Sequence, residues 1–365
     1  MIIRACVAAM FLCVLPFVPA SAQPQPAPAA NWPNQREGDY ILKDYRFASG
    51  ETMADLKIHY TTLGTEKRNA TGEITNGIVL LHGTSGDGKD WLRPTLAGEL
   101  FGPGQPLDAT KYFIILPDGI GRGGSSKPSD GLRGKFPHYR YADLVDSEYR
   151  LVTEHLKVKH LKLVLGSSMG GMHSWIWGYQ YPDLMDGVVP IASQPIRMSG
   201  KNWVQRRIAI EAIRNDPGWN GGNYEKNPTH FAITVPYGFL QTENVLQLQE
   251  MIPSVEAGDA LYQRLFEQAK KRDANDALWS IEAVMDYNPD PHLEKIKAKL
   301  FAINFEDDST NTPSLRTLEA GIKRIKGAKY VIVPQTQETH GHFTHLRAKF
   351  WKQYLADFMK ELEGG

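Results

Sequence analysis

The chain is poor in cysteine and has no net charge. Only Cys6 and Cys13 occur among its 365 residues, and 41 Lys+Arg balance 41 Asp+Glu. Without an excess of positive charge there is no electrostatic footprint for nucleic acid or for an anionic membrane. No apolar run is long enough to span a bilayer comfortably. The longest, Ala5 to Val18, is broken by Pro16 and bounded by Pro19. With Arg4 before it and Ala20-Ser21-Ala22 after it, this run reads as a cleavable secretory signal over residues 1–22. Cleavage after Ala22 would remove both cysteines, and with them any disulfide, thiol nucleophile or Cys-ligated metal. The expected location is periplasmic or secreted, with no membrane insertion after processing.

Beyond the signal, residues 23–39 form a Pro/Ala-rich leader. Short β-branched runs then alternate with helical patterns. Ile78–Leu81, Tyr112–Leu116, Leu161–Leu165, Gly187–Ile191, Leu300–Ile303 and Tyr330–Val333 suit parallel strands covered on both faces. Tyr40–Phe47 and Leu56–Thr62 resemble a leading antiparallel pair. Helical patterns at Tyr141–His155, Gly170–Tyr181, Pro313–Ile325 and His345–Leu362 separate most of these runs. Such alternation implies a doubly wound, mostly parallel eight-stranded α/β sheet. From 198 to 291 no strand is convincing. Helix-like stretches at Trp203–Arg214, Val245–Met251 and Ala257–Lys271 make this a helical cap inserted into a core of 40–197 and 292–365.

Gly166-Ser167-Ser168-Met169-Gly170 follows a strand and opens a helix. This G-x-S-x-G spacing places a serine in a tight strand-to-helix turn, where small residues two before and two after relieve crowding. Ser168 is therefore the expected nucleophile, with the Met169 N–H at the helix start facing an oxyanion. A serine needs a base, and the base needs a carboxylate to orient it. Glu306-Asp307-Asp308 follows one late strand, and His340-Gly341-His342 follows the next. Asp308 is chosen over Asp307 by a small margin. His342 is preferred to His340 and His345, which read as surface or capping residues. His82-Gly83-Thr84 after the first parallel strand lets the Thr84 N–H join Met169 in an oxyanion hole.

Together these residues resemble the α/β-hydrolase fold, and more narrowly its homoserine O-acetyltransferase branch. The resemblance covers nearly the whole mature chain. It includes His82-Gly83, Phe101 to Gly104, Gly121 to Ser125, the extended run Gly166 to Met172, and cap segments Gln205-Arg206, Ala212 to Pro217 and Asp273 to Leu278. Residue matching puts the family's triad on Ser168, Asp308 and His342. The chain departs from the transferases in two places. Pro117-Asp118 stands where they usually have Cys-Asn, and Phe231 to Pro236 lacks the arginine of their cap. With export also expected, the reading is a serine hydrolase cleaving an ester or related acyl bond, with water as acceptor. The alternative is an acyltransferase using the same triad. The expected partner is a small-molecule acyl substrate; a homodimer is left open, and no cofactor is expected.

Two other motifs fail in their context. Gly83 to Lys89 matches a phosphate-binding loop, but Asp90 occupies the Ser/Thr position that would hold magnesium. His340, His342 and His345 have zinc-hydrolase spacing, yet no His or Cys follows to complete a ligand set. A purely binding role would tolerate a broken triad, and no position is broken. The pairs Trp175/Trp177 and Tyr179/Tyr181 read as core packing.

Overall fold

A computed structural model describes residues 32–364. The signal and most of the leader lie outside the described residues. Eight strands form one sheet: β1 (Arg36–Arg46), β2 (Thr52–Leu63), β3 (Gly77–Leu81), β4 (Phe113–Pro117), β5 (Leu161–Ser167), β6 (Met185–Ile191), β7 (Lys299–Phe305) and β8 (Lys329–Val333), in the order β1-β2-β4-β3-β5-β6-β7-β8. β1 and β2 are antiparallel, as is β2 against β4. Every later pairing is parallel. The chain belongs to the doubly wound class expected of it. β1 starts at Arg36, inside the segment assigned to the leader (23–39).

Full burial of β3 and β4 explains their unbroken apolar sequences. Val79, Leu81 and Val164 enter the core on one sheet face, whereas Ile78, Leu80, Leu163 and Leu165 enter the core on the other. Helices cover both: α1 (Pro94–Leu100), α2 (Tyr141–Arg150), α3 (Met169–Gln180), α9 (Thr317–Ile322) and α10 (Lys352–Glu363). α3 is apolar nearly all round because it is sunk in the core. Trp175 and Trp177 are fully buried there, and each indole N–H finds an acceptor, Ser193 Oγ at 3.1 Å and Glu148 Oε2 at 3.2 Å.

Between β6 and β7 the cap's regular elements are helices, with no strand: α4 (Gly200–Arg214), α5 (Thr234–Thr242), α6 (Val245–Met251), α7 (Val255–Ala269) and α8 (Ala274–Glu282). Two helix expectations need correction. α10 begins at Lys352, not at His345, because Gly341–Leu346 and Ala348–Phe350 wind as tight 3-10 turns that bury His342, Thr344 and His345. The run expected to be helical from Pro313 holds only the short α9 after a left-handed residue, Arg316 at φ 54°. No helix among the described residues is long and apolar enough to cross a membrane.

Candidate active site

β5 ends at Ser167, α3 starts at Met169, and Ser168 is the single residue between them, at φ 56° and ψ −112°. That left-handed conformation is unfavourable for a side-chain-bearing residue and persists only when its surroundings impose it. They impose it through the two flanking glycines. A Cβ on Gly166 would lie 2.0 Å from the Gly170 carbonyl oxygen, and one on Gly170 would lie 2.1 Å from the Leu81 carbonyl oxygen. The spacing seen in the sequence is therefore a steric requirement of packing α3 against β3 and β5.

The turn points Ser168 at the loops that follow β7 and β8. Ser168 Oγ lies 2.9 Å from His342 Nε2, and His342 Nδ1 lies 2.7 Å from Asp308 Oδ2. Asp308 has no solvent exposure. Its Oδ1 accepts the backbone N–H groups of Thr310 (2.8 Å) and Asn311 (3.0 Å), and Oδ2 also accepts from Asn311 Nδ2 at 2.9 Å. Burial alone would raise the Asp308 carboxyl. The charge of the facing His342, with hydrogen bonds from His342 and Asn311, outweighs burial and holds it below the usual carboxylate range. The group is thus an anion aimed at one imidazole nitrogen, while the other nitrogen meets the serine hydroxyl.

Asp307, the close competitor in sequence, turns the other way. Its Oδ2 accepts from Asn244 Nδ2 (2.6 Å), Thr339 Oγ1 (2.7 Å) and the Gly341 N–H (3.0 Å). It staples the cap to the histidine loop and does not touch His342. His340 faces Glu243 of the cap, with Nδ1 3.2 Å from Oε1. His345 departs from its expected surface role. It is buried, its ring centroid stands 5.0 Å from that of His342, and burial pushes its pKa well below the ordinary histidine value.

On the oxyanion side, the Gly83 loop passes close to the nucleophile: a Cβ on Gly83 would sit 3.7 Å from Ser168 Cβ. Neither the Thr84 nor the Met169 N–H donates to a backbone or side-chain acceptor among the described residues. Two cap contacts steady Thr84: its Oγ1 accepts from Arg206 Nη2 at 3.3 Å, and its carbonyl accepts from Ser280 Oγ at 3.3 Å. Asp118, one of the departures from the transferase pattern, has a bracing position. It is buried and takes the N–H groups of Gly88 and Gly124, each at 2.8 Å. Lys89, the last residue of the apparent phosphate loop, pairs with Glu37 at 2.8 Å.

Above the serine, α4, α5 and the loop before α8 line an open cavity of about 480 Å³ whose floor includes Ser168 and His342. Sequence reasoning missed two contributors. Asn311 fixes Asp308 and also reaches the Ala192 carbonyl at 2.9 Å; its signal was a position three residues after the acid. Arg206 was visible only as part of a resemblance, because nothing local says that α4 turns it toward the Gly83 loop. Among the described residues no group of three His, Cys, Asp or Glu could hold a metal ion. Chemically, such an arrangement can supply a serine hydroxyl joined through an imidazole to a carboxylate, with two nearby N–H groups that meet no acceptor among the described residues.

Known proteins share this architecture. The alpha/beta hydrolase fold profile matches residues 77–294. A homoserine O-acetyltransferase of Carboxydothermus hydrogenoformans is 31% identical over 274 residues, covering 69% of this chain and 68% of that one. Among solved structures, a homoserine O-acetyltransferase from Bacillus anthracis superposes with TM-score 0.78 at 21% identity, covering 89% of this chain and 97% of that one. An acetylester hydrolase from Corynebacterium glutamicum gives 0.75 at 22%, covering 90% and 96%.

Proposed function

The chain belongs to the α/β-hydrolase fold family, and from that premise we propose that it is a serine acyltransferase of the homoserine O-acetyltransferase type. Ser168 Oγ attacks the acyl carbonyl of a donor while His342 Nε2 takes its proton, and Asp308 steadies the resulting imidazolium. The N–H groups of Met169 and Thr84 hold the oxyanion, each such donor being worth about 3 kcal/mol in comparable sites. His342 passes the proton to the leaving group. An alcohol then enters, loses its proton to His342, and takes the acyl group from Ser168. The observation that carries this reading is the unbroken Ser168–His342–Asp308 hydrogen-bonded chain on the floor of a cavity lined by the cap.

Sequence alone favoured water as the acceptor. The similarity to homoserine O-acetyltransferases over two thirds of the chain moves the preference to an alcohol. Hydrolysis stays as the second reading, supported by the missing cap arginine in Phe231–Pro236 and by Pro117-Asp118. Partitioning tests the two. Acetyl-CoA or p-nitrophenyl acetate is offered with and without homoserine and simple alcohols, and acylated alcohol is measured against free acetate. Acylated alcohol as the main product supports transfer; acetate alone at every alcohol concentration reverses the order. Export remains part of the proposal, supported by the composition of residues 1–22, and N-terminal sequencing of the mature protein should begin at Gln23.

A further inference from the structure

The loop that carries His342 is gripped by the cap on both sides of the histidine. Just before it, Gly341 has φ 55°, and a Cβ there would lie 2.5 Å from the Thr242 carbonyl oxygen and 3.1 Å from the Asn244 nitrogen. One residue earlier, His340 Nδ1 lies 3.2 Å from Glu243 Oε1. Just after it, the Phe343 ring stacks on Phe239 of α5, with centroids 5.8 Å apart. Farther back, Gln247 Nε2 of α6 donates to the Gln337 carbonyl at 2.6 Å. The end of α5 and the start of α6 thus follow this loop closely. Asn244 is the buried polar link in the seam. Its Oδ1 caps α6, accepting the Leu246 N–H at 2.8 Å. Its Nδ2 donates the other way, to Asp307 Oδ2 at 2.6 Å and Thr339 Oγ1 at 3.2 Å. The same Asp307 oxygen accepts the Gly341 N–H at 3.0 Å. Asp307 Oδ1 is enclosed without a partner, so the donors at Oδ2 decide where this carboxylate sits.

We propose that Asn244 is a positioning residue for the reaction: it holds Asp307, through Asp307 the Gly341 backbone, and so keeps His342 Nε2 within reach of Ser168 Oγ. Asn244 bonds to none of the three triad residues and acts only through this chain of contacts. The cap then serves the reaction twice. Val235, Gly238 and Phe239 of α5 line the cavity, and the junction after α5 fixes the base that works on its floor. This inference rests on the acyl-enzyme chemistry proposed above and holds whether the acceptor is an alcohol or water.

The p-nitrophenol burst from p-nitrophenyl acetate reads the role, because its rate and its amplitude report different things. A variant that is only less well folded loses amplitude; a misplaced base lowers the rate at full amplitude. Asn244→Ser keeps a good cap for α6 but removes the amide that reaches Asp307. Its burst rate should fall by about tenfold to a hundredfold, the scale of a catalytic group displaced by about 1 Å, with the amplitude unchanged. Asn244→Asp also keeps the cap, yet it sets two carboxylates together and should be slower still. Adding Asp307→Asn to Asn244→Asp relieves that repulsion and should restore part of the rate, as a role exercised through Asp307 requires. Unfolding midpoints report that each variant is folded at the assay temperature, and Asn244→Ser decides the matter alone if Asn244→Asp does not fold. An unchanged burst rate in Asn244→Ser, a loss of amplitude alone, or no recovery in the folded double variant would overturn the proposal. With a normal burst in the wild type, such a result removes the Asn244 role alone. A wild type with neither a burst nor a fluorophosphonate label on Ser168 fails the acyl-enzyme reading and takes this inference with it.

Discussion

Replacing Asp308 with asparagine tests the site where two adjacent acids in the sequence were hardest to separate. In the native arrangement Oδ1 takes two backbone N–H groups, a role that an amide oxygen can keep. The amide NH₂ must then stand where Oδ2 stood, facing His342 Nδ1 at 2.7 Å and Asn311 Nδ2 at 2.9 Å. One contact becomes donor against donor with Asn311. The other forces His342 to accept at Nδ1 and carry its proton on Nε2, toward Ser168. A serine cannot give its proton to a nitrogen that already holds one. Turnover should fall by about 10⁴-fold, as expected when a triad histidine is locked in the wrong tautomer. Stability should fall by about 1–3 kcal/mol for the buried donor left unpaired. Asp307→Asn should behave differently. Its amide oxygen can keep the Asn244, Thr339 and Gly341 donors, all of which meet one carboxylate oxygen, so it should weaken these charge-assisted bonds, lower the melting temperature slightly and leave the tautomer of His342 alone. Steady-state turnover of p-nitrophenyl acetate, with unfolding curves for both variants, reads the contrast. Asp308→Asn within tenfold of the wild type, with Asp307→Asn the inactive one, would refute the assignment.

The remaining predictions concern packing and titration. Gly170→Ala sets a methyl 2.1 Å from the Leu81 carbonyl oxygen, which is backbone and cannot swing aside. It should cost about 1–3 kcal/mol or more in denaturant unfolding, and a change within 0.5 kcal/mol would contradict the steric account. His345 has a folded pKa well below the ordinary value of about 6.5, so the unfolded chain binds its proton first. Its contribution is fully present above about pH 6.5 and declines as pH falls below that value. His345→Gln should therefore flatten the stability–pH curve on the acid side of neutrality, and an unchanged slope there would sink the argument. Asp308 is displaced in the same direction, folded pKa below unfolded, here because His342 and the hydrogen bonds to it favour the charged carboxylate. Its contribution is present above about pH 4 and is lost as pH falls through the folded value, and Asp308→Asn should remove that component from acid unfolding curves.

Strand positions were legible because parallel strands buried on both faces must be continuously apolar; five of the six internal runs fall within observed strands, and the sixth begins at Tyr112, one residue before β4. The turn that carries Ser168 was legible for a related reason: contacts at 2.0 and 2.1 Å leave only glycine at positions 166 and 170. The choice between Asp307 and Asp308 was not a local matter. Which carboxylate meets His342 depends on Asn311 on one side and on Asn244 and Thr339 on the other, none of which carries a signature at that distance in sequence. The start of α10 was misplaced because His345 and Leu346 look helical, yet His345 is drawn inward beside His342. The cap was visible as an absence of strands. Arg206 could be placed only once α4 was folded over the serine.

The central claim is a covalent acyl group on Ser168. Rapid quench of the enzyme with an excess of p-nitrophenyl acetate, followed by digestion and mass spectrometry, looks for that group directly. The account predicts one acetyl group on the peptide containing Ser168, its formation matching a burst of p-nitrophenol. It also predicts that Ser168→Ala shows no adduct and loses turnover on the order of a million-fold. Acetyl found on another residue, or Ser168→Ala retaining near-normal turnover, would contradict it.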